Sequence, residues 1–151
     1  MAKAKIAKKK AAPKPKQKKP RVVVTRGKRK ESIARAYVRE GKGVVRINSL
    51  SLDGVPNGYL KSIIMEPLII AGDKAKNVDI RVLVKGGGVM SQAEAVRTAI
   101  ARGVVEFAGD EELRKNITDR DRFMLLEDSR RVEPKKYKGP KARARFQKSY
   151  R

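Results

Sequence analysis

Four segments of the chain are strand-like, and three of them alternate apolar with polar positions. They are residues 22–24, 33–39, 44–47 and 78–85, of which the last is the clearest. Arginines hold polar positions in 33–39, which predicts a half-buried strand with a cationic outer face. Glycine, lysine and glycine at 41–43 predict a hairpin turn between the second and third segments.

Helical spacing of apolar residues replaces this alternation in two longer segments. The first is 59–70, where we expect Pro67 to kink or split the helix. The second repeats apolar residues at 93, 96, 100, 104 and 107. Ser91 and Glu94 have capping-box spacing at its start, and Gly109 is placed to end it. Three acidic residues at 110–112 then predict the start of a short helix.

Both ends of the chain lack such periodicity. Residues 1–20 are almost entirely Lys, Ala and Pro, so no apolar face offsets the entropy of ordering, and we expect disorder in the free protein. Residues 129–151 interleave basic residues with Gly, Pro and aromatics, which predicts an extended arm that a partner orders. We therefore predict one small α+β domain over 21–128 between two basic arms.

The excess positive charge lies in these arms. The chain has 39 Lys and Arg against 16 Asp and Glu, a net charge of +23. Residues 1–30 carry 14 basic residues and no acid, and residues 130–151 carry 10 basic residues and one acid. The middle is therefore electrically balanced. Cationic arms on a balanced domain indicate binding to a polyanion such as nucleic acid.

Composition also narrows the chemistry. The chain has no His and no Cys, which argues against His general bases, Cys nucleophiles, disulfides and nearly all zinc sites. We predict no enzymatic activity, no cofactor, no small-molecule substrate and no membrane partner. Without a signal-like apolar run near the start, a cytoplasmic or nuclear location is the default.

A run of three glycines is the most enzyme-like motif. Gly86, Gly87 and Gly88 lie between a predicted strand and a predicted helix, where phosphate-binding loops occur. However, the lysine of a P-loop is missing, and Ser91 stands where the dinucleotide fingerprint needs glycine. A tight strand-to-helix passage is the favoured interpretation, and an RNA phosphate contact is the main alternative.

Cations cluster around the first two predicted strands. An isolated triplet such as Lys28, Arg29 and Lys30 is ordinarily a solvated charge run. Four further arginines on neighbouring strands change this interpretation to phosphate contact, namely Arg21, Arg26, Arg35 and Arg39. By contrast, the acids of 110–128 alternate with basic residues, so surface ion pairs explain them better than a metal site.

The C-terminal arm has a composition suited to RNA. Arg143 and Arg145 alternate with alanines, and Phe146 and Tyr150 can stack on bases or sugars. Fully extended, residues 130–151 would reach roughly 70 Å. An arm of this length can leave the domain and contact a distant ligand.

Three sequence blocks resemble the small-subunit ribosomal protein S-nine family, called S-sixteen in eukaryotes. They are Thr-Arg-Gly-Lys-Arg-Lys-Glu-Ser-Ile-Ala at 25–34, Gly-Gly-Gly-Val-Met-Ser-Gln at 86–92 continuing to Ala-Arg-Gly at 101–103, and Ala-Arg-Ala-Arg-Phe-Gln-Lys-Ser-Tyr-Arg at 142–151. The resemblance covers about residues 22–151, and the final five residues resemble the archaeal and eukaryotic branch.

The resemblance implies a four-stranded sheet with helices on one face and a left-handed crossover. It also implies binding of the domain to ribosomal RNA in the subunit head, beside neighbouring ribosomal proteins, and contact of the arm with transfer RNA in the peptidyl site. The ribosomal RNA set is Arg21, Arg26, Lys28, Arg29, Lys30, Arg35, Arg39, Lys135, Lys136, Lys138, Lys141, Arg143 and Arg145. The transfer RNA set is Lys148, Ser149, Tyr150 and Arg151, and the structural glycine loop is Gly86, Gly87, Gly88, Ser91 and Gln92.

Two rival functions remain at this point. An architectural DNA or chromatin protein would also be basic at its ends, although no helix-turn-helix, zipper or zinc-finger pattern is present. A phosphate-handling enzyme would have to use the glycine loop.

Overall fold

A computed structural model describes residues 21–149. The strands are β1 (Val22–Arg29), β2 (Ser32–Glu40), β3 (Val45–Ile47), β4 (Leu50–Ser51) and β5 (Val78–Lys85). The helices are α1 (Gly58–Ala71), α2 (Asp73–Lys76), α3 (Val89–Ala108) and α4 (Glu111–Arg120), with short 3-10 turns at Leu52–Gly54 and Arg122–Met124. The predicted α+β class is confirmed. The predictions for residues 1–20, Tyr150 and Arg151 lie outside the described residues.

The five strands form one sheet in the order β1-β2-β5-β3-β4. All neighbours are antiparallel except β3 and β5, which are parallel and joined by a crossover that contains α1. The sheet has a fifth strand beyond the expected four because Leu50 and Ser51 fold back onto β3. The left hand of the crossover stays a prediction.

The predicted hairpin between β2 and β3 is wrong. The glycines at 41 and 43 do turn the chain, but β5 inserts between the two strands and pairs with both of them. Because β5 follows more than thirty residues later in the chain, local turn chemistry carries no signal of this insertion. The turn instead leads β3 to the far side of β5.

One side of the sheet is covered by helices. Small and β-branched residues point to that side from β1, β2 and β5, and α3 packs across these three strands. The buried side chains of α3 include Ala95, Val96, Ala99, Ile100 and Val104. α1 then packs against α3, with its buried stripe on Leu60, Ile64, Pro67 and Ala71.

Two details of the helices differ from expectation. α3 begins at Val89, two residues before the predicted cap, and its N-cap is Gly88, so Ser91 does not form a capping box. Glu94 bonds Arg29 instead. α1 runs through Pro67 without a split, and the buried proline ring belongs to the apolar stripe of the helix; a kink there stays a prediction. Gly109 ends α3 in the left-handed conformation, as predicted.

α3 lies unusually close to β1. The Thr25 hydroxyl donates a hydrogen bond of 2.7 Å to the carbonyl oxygen of Ala99. A Cβ added at Gly27 would lie 2.1 Å from the Ala95 carbonyl oxygen, so only glycine fits this strand position.

Within residues 21–149, no helix is long and apolar enough to cross a membrane.

Candidate nucleic-acid interface

Among residues 21–149 no helix covers the other side of the sheet, and we call this side the open face. Its outward residues form rows across the strands, which the register defines. In order across the strands, the first row contains Val22, Arg39 and Asp79, and the second contains Val24, Tyr37, Arg81 and Arg46. The third row contains Arg26, Arg35 and Leu83, and the fourth contains Lys28, Ile33 and Lys85. Strand alternation thus places cations and apolar side chains on one accessible surface.

The cations of the open face outnumber their acidic partners. Arg26 directly faces Arg35, and Arg46 directly faces Arg81, although like charges in opposite positions destabilise a sheet. Arg26 has some compensation from Glu127 at 3.3 Å. Among residues 21–149, no carboxylate lies within 4 Å of Arg35, Arg46 or Arg81. An arrangement that opposes folding unless an anion is present favours a polyanionic ligand.

Asp79 is the one acid of these rows, and local contacts occupy it. Its carboxylate accepts hydrogen bonds from the backbone nitrogens of Lys42 at 2.9 Å and Val44 at 3.2 Å. These bonds, aided by Arg39 at 3.5 Å, lower the pKa of Asp79. Asp79 therefore stays ionised and holds the turn after β2.

The predicted cationic triplet divides between the two sides of the sheet. Lys28 belongs to the open face, whereas Arg29 points to the helices. The Arg29 side chain is only 16% exposed and lies 2.5 Å from Glu94 and 2.7 Å from Asp128. Lys30 occupies the turn at φ 52°. Because two carboxylates already occupy the Arg29 guanidinium, Arg29 supports the packing of the helices on the sheet and is not part of the open face.

Asp128 ties the beginning of the C-terminal arm to the edge of the sheet. It forms an isolated bridge with Arg29, and its carboxylate accepts hydrogen bonds from the Arg130 side chain at 2.6 and 2.9 Å. Hydrogen bonds from Arg130 and the charge of Arg29 lower the pKa of Asp128 to about 2. Arg131 adds a hydrogen bond to the carbonyl oxygen of Lys30.

Arg102 holds the same segment from α3. Its Nε donates to the carbonyl oxygen of Leu125 at 2.7 Å, and its Nη1 donates to that of Arg26 at 2.8 Å. Glu127 completes the cluster at 3.2 Å from Arg102. We call Arg29, Arg102, Glu127 and Asp128 the clasp. The clasp fixes the point at which the arm leaves the domain, beside the β1–β2 turn.

The glycine loop has a packing explanation. Gly86 and Gly87 have φ of 79° and 66°, which favour glycine. The Gly86 carbonyl oxygen accepts from Ser32 Oγ at 2.9 Å and from Gln92 Nε2 at 3.0 Å, and a Cβ added at Gly87 would lie 2.1 Å from Ser32 Oγ. These contacts support the interpretation of a tight strand-to-helix passage.

The arm has no helix or strand over 129–149, but it is not extended throughout. Glu133 accepts two hydrogen bonds from the Arg143 guanidinium, at 2.6 and 3.1 Å, which lower the pKa of Glu133. Arg145 Nη1 donates to the Tyr137 carbonyl oxygen at 3.0 Å. Residues 133–145 therefore form a loop, because the one acid of the arm attracts a basic residue ten positions later.

Most of the predicted arm contacts remain accessible. The side chains of Lys135, Lys136, Lys138, Lys141, Lys148 and Ser149 are exposed, as is that of Phe146. At the other end of the domain Arg21 is also exposed, with its guanidinium 5.6 Å from the centre of the Phe107 ring. The arm thus presents its cations to solvent.

Sequence reasoning missed part of the open face. Arg46, Arg81, Lys85 and Tyr37 were not assigned to the site, although the alternation in β2, β3 and β5 placed each on the outward side of its strand. What was missing was the strand order, which makes β5 the neighbour of both β2 and β3. The acids of 110–128 include members of ion pairs, as predicted: Asp121, for example, pairs with Arg97 at 2.9 Å.

Comparison with known proteins agrees with these features. The sequence profile described as "Ribosomal protein S9/S16" matches residues 27–151. "Small ribosomal subunit protein uS9" of Desulfurococcus amylolyticus is 53% identical over 131 residues, covering 87% of this chain and 94% of that protein. The proteins of the same name from Thermoplasma volcanium and Aeropyrum pernix are 50% and 49% identical, covering 85% and 87% of this chain and 98% and 97% of their own lengths.

These matches favour the ribosomal interpretation over the chromatin and enzyme alternatives, because the family is one of structural, non-enzymatic proteins. The matched residues 27–151 include most of the open face, the glycine loop and the arm. The chain therefore belongs to the ribosomal protein S9/S16 family.

Proposed function

We propose that this protein is a structural constituent of the small ribosomal subunit that binds ribosomal RNA in the head with its domain and peptidyl-site transfer RNA with the end of its arm. The observation that carries the proposal is the open face, where Arg35, Arg46 and Arg81 lack a carboxylate partner among residues 21–149. Phosphates would relieve the repulsion between these guanidinium groups.

The domain and the arm divide the work. The domain contacts ribosomal RNA through the open face, including Lys28, Arg35 and Arg39. The clasp fixes the start of the arm beside the β1–β2 turn. Along the arm, Lys135, Lys136, Lys138, Lys141, Arg143 and Arg145 bind further ribosomal RNA. Lys148, Ser149, Tyr150 and Arg151 bind the anticodon stem-loop of the transfer RNA.

Neighbouring head proteins complete the proposed set of partners. α1 supports such a contact because its outward side exposes Tyr59 and Ile69, at 64% and 70%, and its charged residues already have partners. Lys61 pairs with Asp53, and Glu66 with Arg97. We place the assembled protein in the cytoplasm, as part of the ribosome.

Binding of the free protein to small-subunit RNA tests the contribution of the domain. We expect log Kd to depend steeply on log salt, with a slope of about 0.7 to 0.9 for each neutralised phosphate. Arg46→Gln should reduce that slope by the contribution of about one phosphate. Arg114 is an exposed arginine on α4, and Arg114→Gln should leave the slope unchanged. A flat salt response of the unmodified protein would overturn the proposal.

Truncation tests the contribution of the arm. Subunits assembled with a protein that lacks residues 148–151 should form normally but bind peptidyl-site transfer RNA more weakly. A protein that ends at 151 but carries Lys115→Gln on α4 is the matched control. Unchanged transfer RNA affinity in truncated subunits would contradict the assignment of the arm.

A further inference from the structure

The row that crosses the middle of the open face has the composition of a stacking surface. Val24, Tyr37, Arg81 and Arg46 lie side by side on β1, β2, β5 and β3. Neighbouring strands are about 4.8 Å apart, so the row spans about 14 Å. It therefore offers an apolar side chain, an aromatic ring and two planar guanidinium groups in succession.

We propose that this row binds unpaired nucleotides of ribosomal RNA, whose bases stack on Tyr37, Arg81 and Arg46. The inference rests on the proposed function and specifies that the open face binds unpaired rather than paired RNA. Aromatic rings and guanidinium planes are the groups on which proteins stack exposed bases. About 14 Å of surface accommodates two or three bases, as other sheet surfaces that bind single strands do.

Apolar exposure favours unpaired RNA over a duplex. Val22, Val24 and Leu83 are 50%, 55% and 39% exposed and lie in or beside the row. A duplex presents phosphates and ribose hydroxyls and hides the faces of its bases, so it would give these side chains little to contact. Splayed bases would cover them with apolar surface.

Charge favours RNA over a protein partner. Seven cationic side chains point outward from the four rows, and Asp79, the one acid among them, already accepts two backbone hydrogen bonds. The centres of protein–protein interfaces are depleted in charge, whereas Arg81 lies on the central strand of this face with Arg46 beside it. A ligand with both negative charge and planar apolar groups would complement both the cationic and the apolar side chains of this surface.

Variants that separate charge from planarity test the inference. Arg81→Lys keeps the charge but removes the plane, and Tyr37→Leu removes the ring, while Tyr37→Phe keeps it. Binding of each full-length variant is measured against an unpaired oligoribonucleotide and a duplex of equal length across a salt series. We expect Arg81→Lys and Tyr37→Leu each to weaken binding to unpaired RNA about tenfold at an unchanged salt slope.

Duplex binding should stay within about twofold for both variants, and Tyr37→Phe should bind both RNAs like the unmodified protein. Equal losses on both RNAs, or a preference of the unmodified protein for the duplex, would overturn base stacking while leaving phosphate binding intact. Loss of the salt dependence itself would instead defeat the proposed function. Thermal unfolding of each variant controls for folding.

Cross-linking in assembled subunits identifies what covers the row. A photoreactive residue in place of Val24 should cross-link to ribosomal RNA at nucleotides that are unpaired in the subunit. A photoreactive residue in place of Ile69 on α1 provides the comparison on another exposed apolar site. Cross-links from position 24 to a protein, or to paired nucleotides only, would overturn the inference, as would the absence of any cross-link there.

Discussion

The two sides of the sheet are built from the same strands but have opposite effects on folding. On the covered side, Thr25 and Gly27 let α3 approach within hydrogen-bond distance, and the half-buried Arg29 pairs with two carboxylates. On the open face, arginines face arginines across the strands. We therefore expect the covered side to supply stability and the facing arginines of the open face to reduce it.

This comparison explains why neighbouring cations have different roles. Lys28 and Arg29 are adjacent in sequence, yet alternation turns them to opposite sides. Arg29 pairs with Glu94 and Asp128 on the covered side, whereas Lys28 lies on the open face, where we propose that RNA binds. The charged residues of a strand must therefore be sorted by the face of the sheet to which they point before a function is assigned to them.

The largest expected effect comes from filling the closest contact on the covered side. Gly27→Ala should lower the free energy of unfolding by about 3 kcal/mol, because the new Cβ would meet the backbone of α3 at 2.1 Å. Gly58→Ala is the control, since a Cβ there meets nothing within 4 Å. Urea unfolding measures both, and equal stability of the two variants would contradict the packing described for β1 and α3.

A smaller loss is expected from the buried hydroxyl. Thr25→Val removes the hydrogen bond to the Ala99 carbonyl oxygen while keeping the side-chain shape, and it should cost about 1 kcal/mol. Val24→Thr makes the reverse change on the open face and should alter the free energy of unfolding by less than about 0.5 kcal/mol. The prediction fails if the two substitutions have the same effect.

The clasp predicts an acid-dependent component of stability. The pKa of Asp128 is lowered to about 2 from an ordinary value of 3.8, so its contribution is present above pH 4 and is lost as pH falls through 2. Asp128→Asn should therefore lower Tm at pH 6, and the difference from the unmodified protein should narrow towards pH 2. A difference that stays constant with pH would show that the ionised carboxylate does not stabilise the clasp.

The smallest effect on folding is expected on the open face. Arg35→Gln should change the free energy of unfolding by no more than about 0.5 kcal/mol, with a gain expected because repulsion from Arg26 is removed. The same variant should bind ribosomal RNA more weakly. A clear loss of stability would show that Arg35 supports the fold, and the contrast between the two sides would then be wrong.

Local patterns predicted the elements well where each pattern was long. The alternation in 78–85 and the helical spacing from 93 to 107 correspond to β5 and α3. The hairpin and the capping box failed because each was inferred from a few adjacent residues, while distant partners compete for the same groups. β5 takes the edge of β2, and Arg29 takes the carboxylate of Glu94.

The class of fold, the cationic outer side of β2 and the suitability of the arm for RNA could all be inferred from the sequence, because each depends on period or charge within one segment. The row that joins Arg46 and Arg81 to Tyr37, and the place of Arg29 in the clasp, became visible only in the folded protein. Strand order and helix packing bring together residues that are far apart in the chain, and no local periodicity encodes which strands become neighbours.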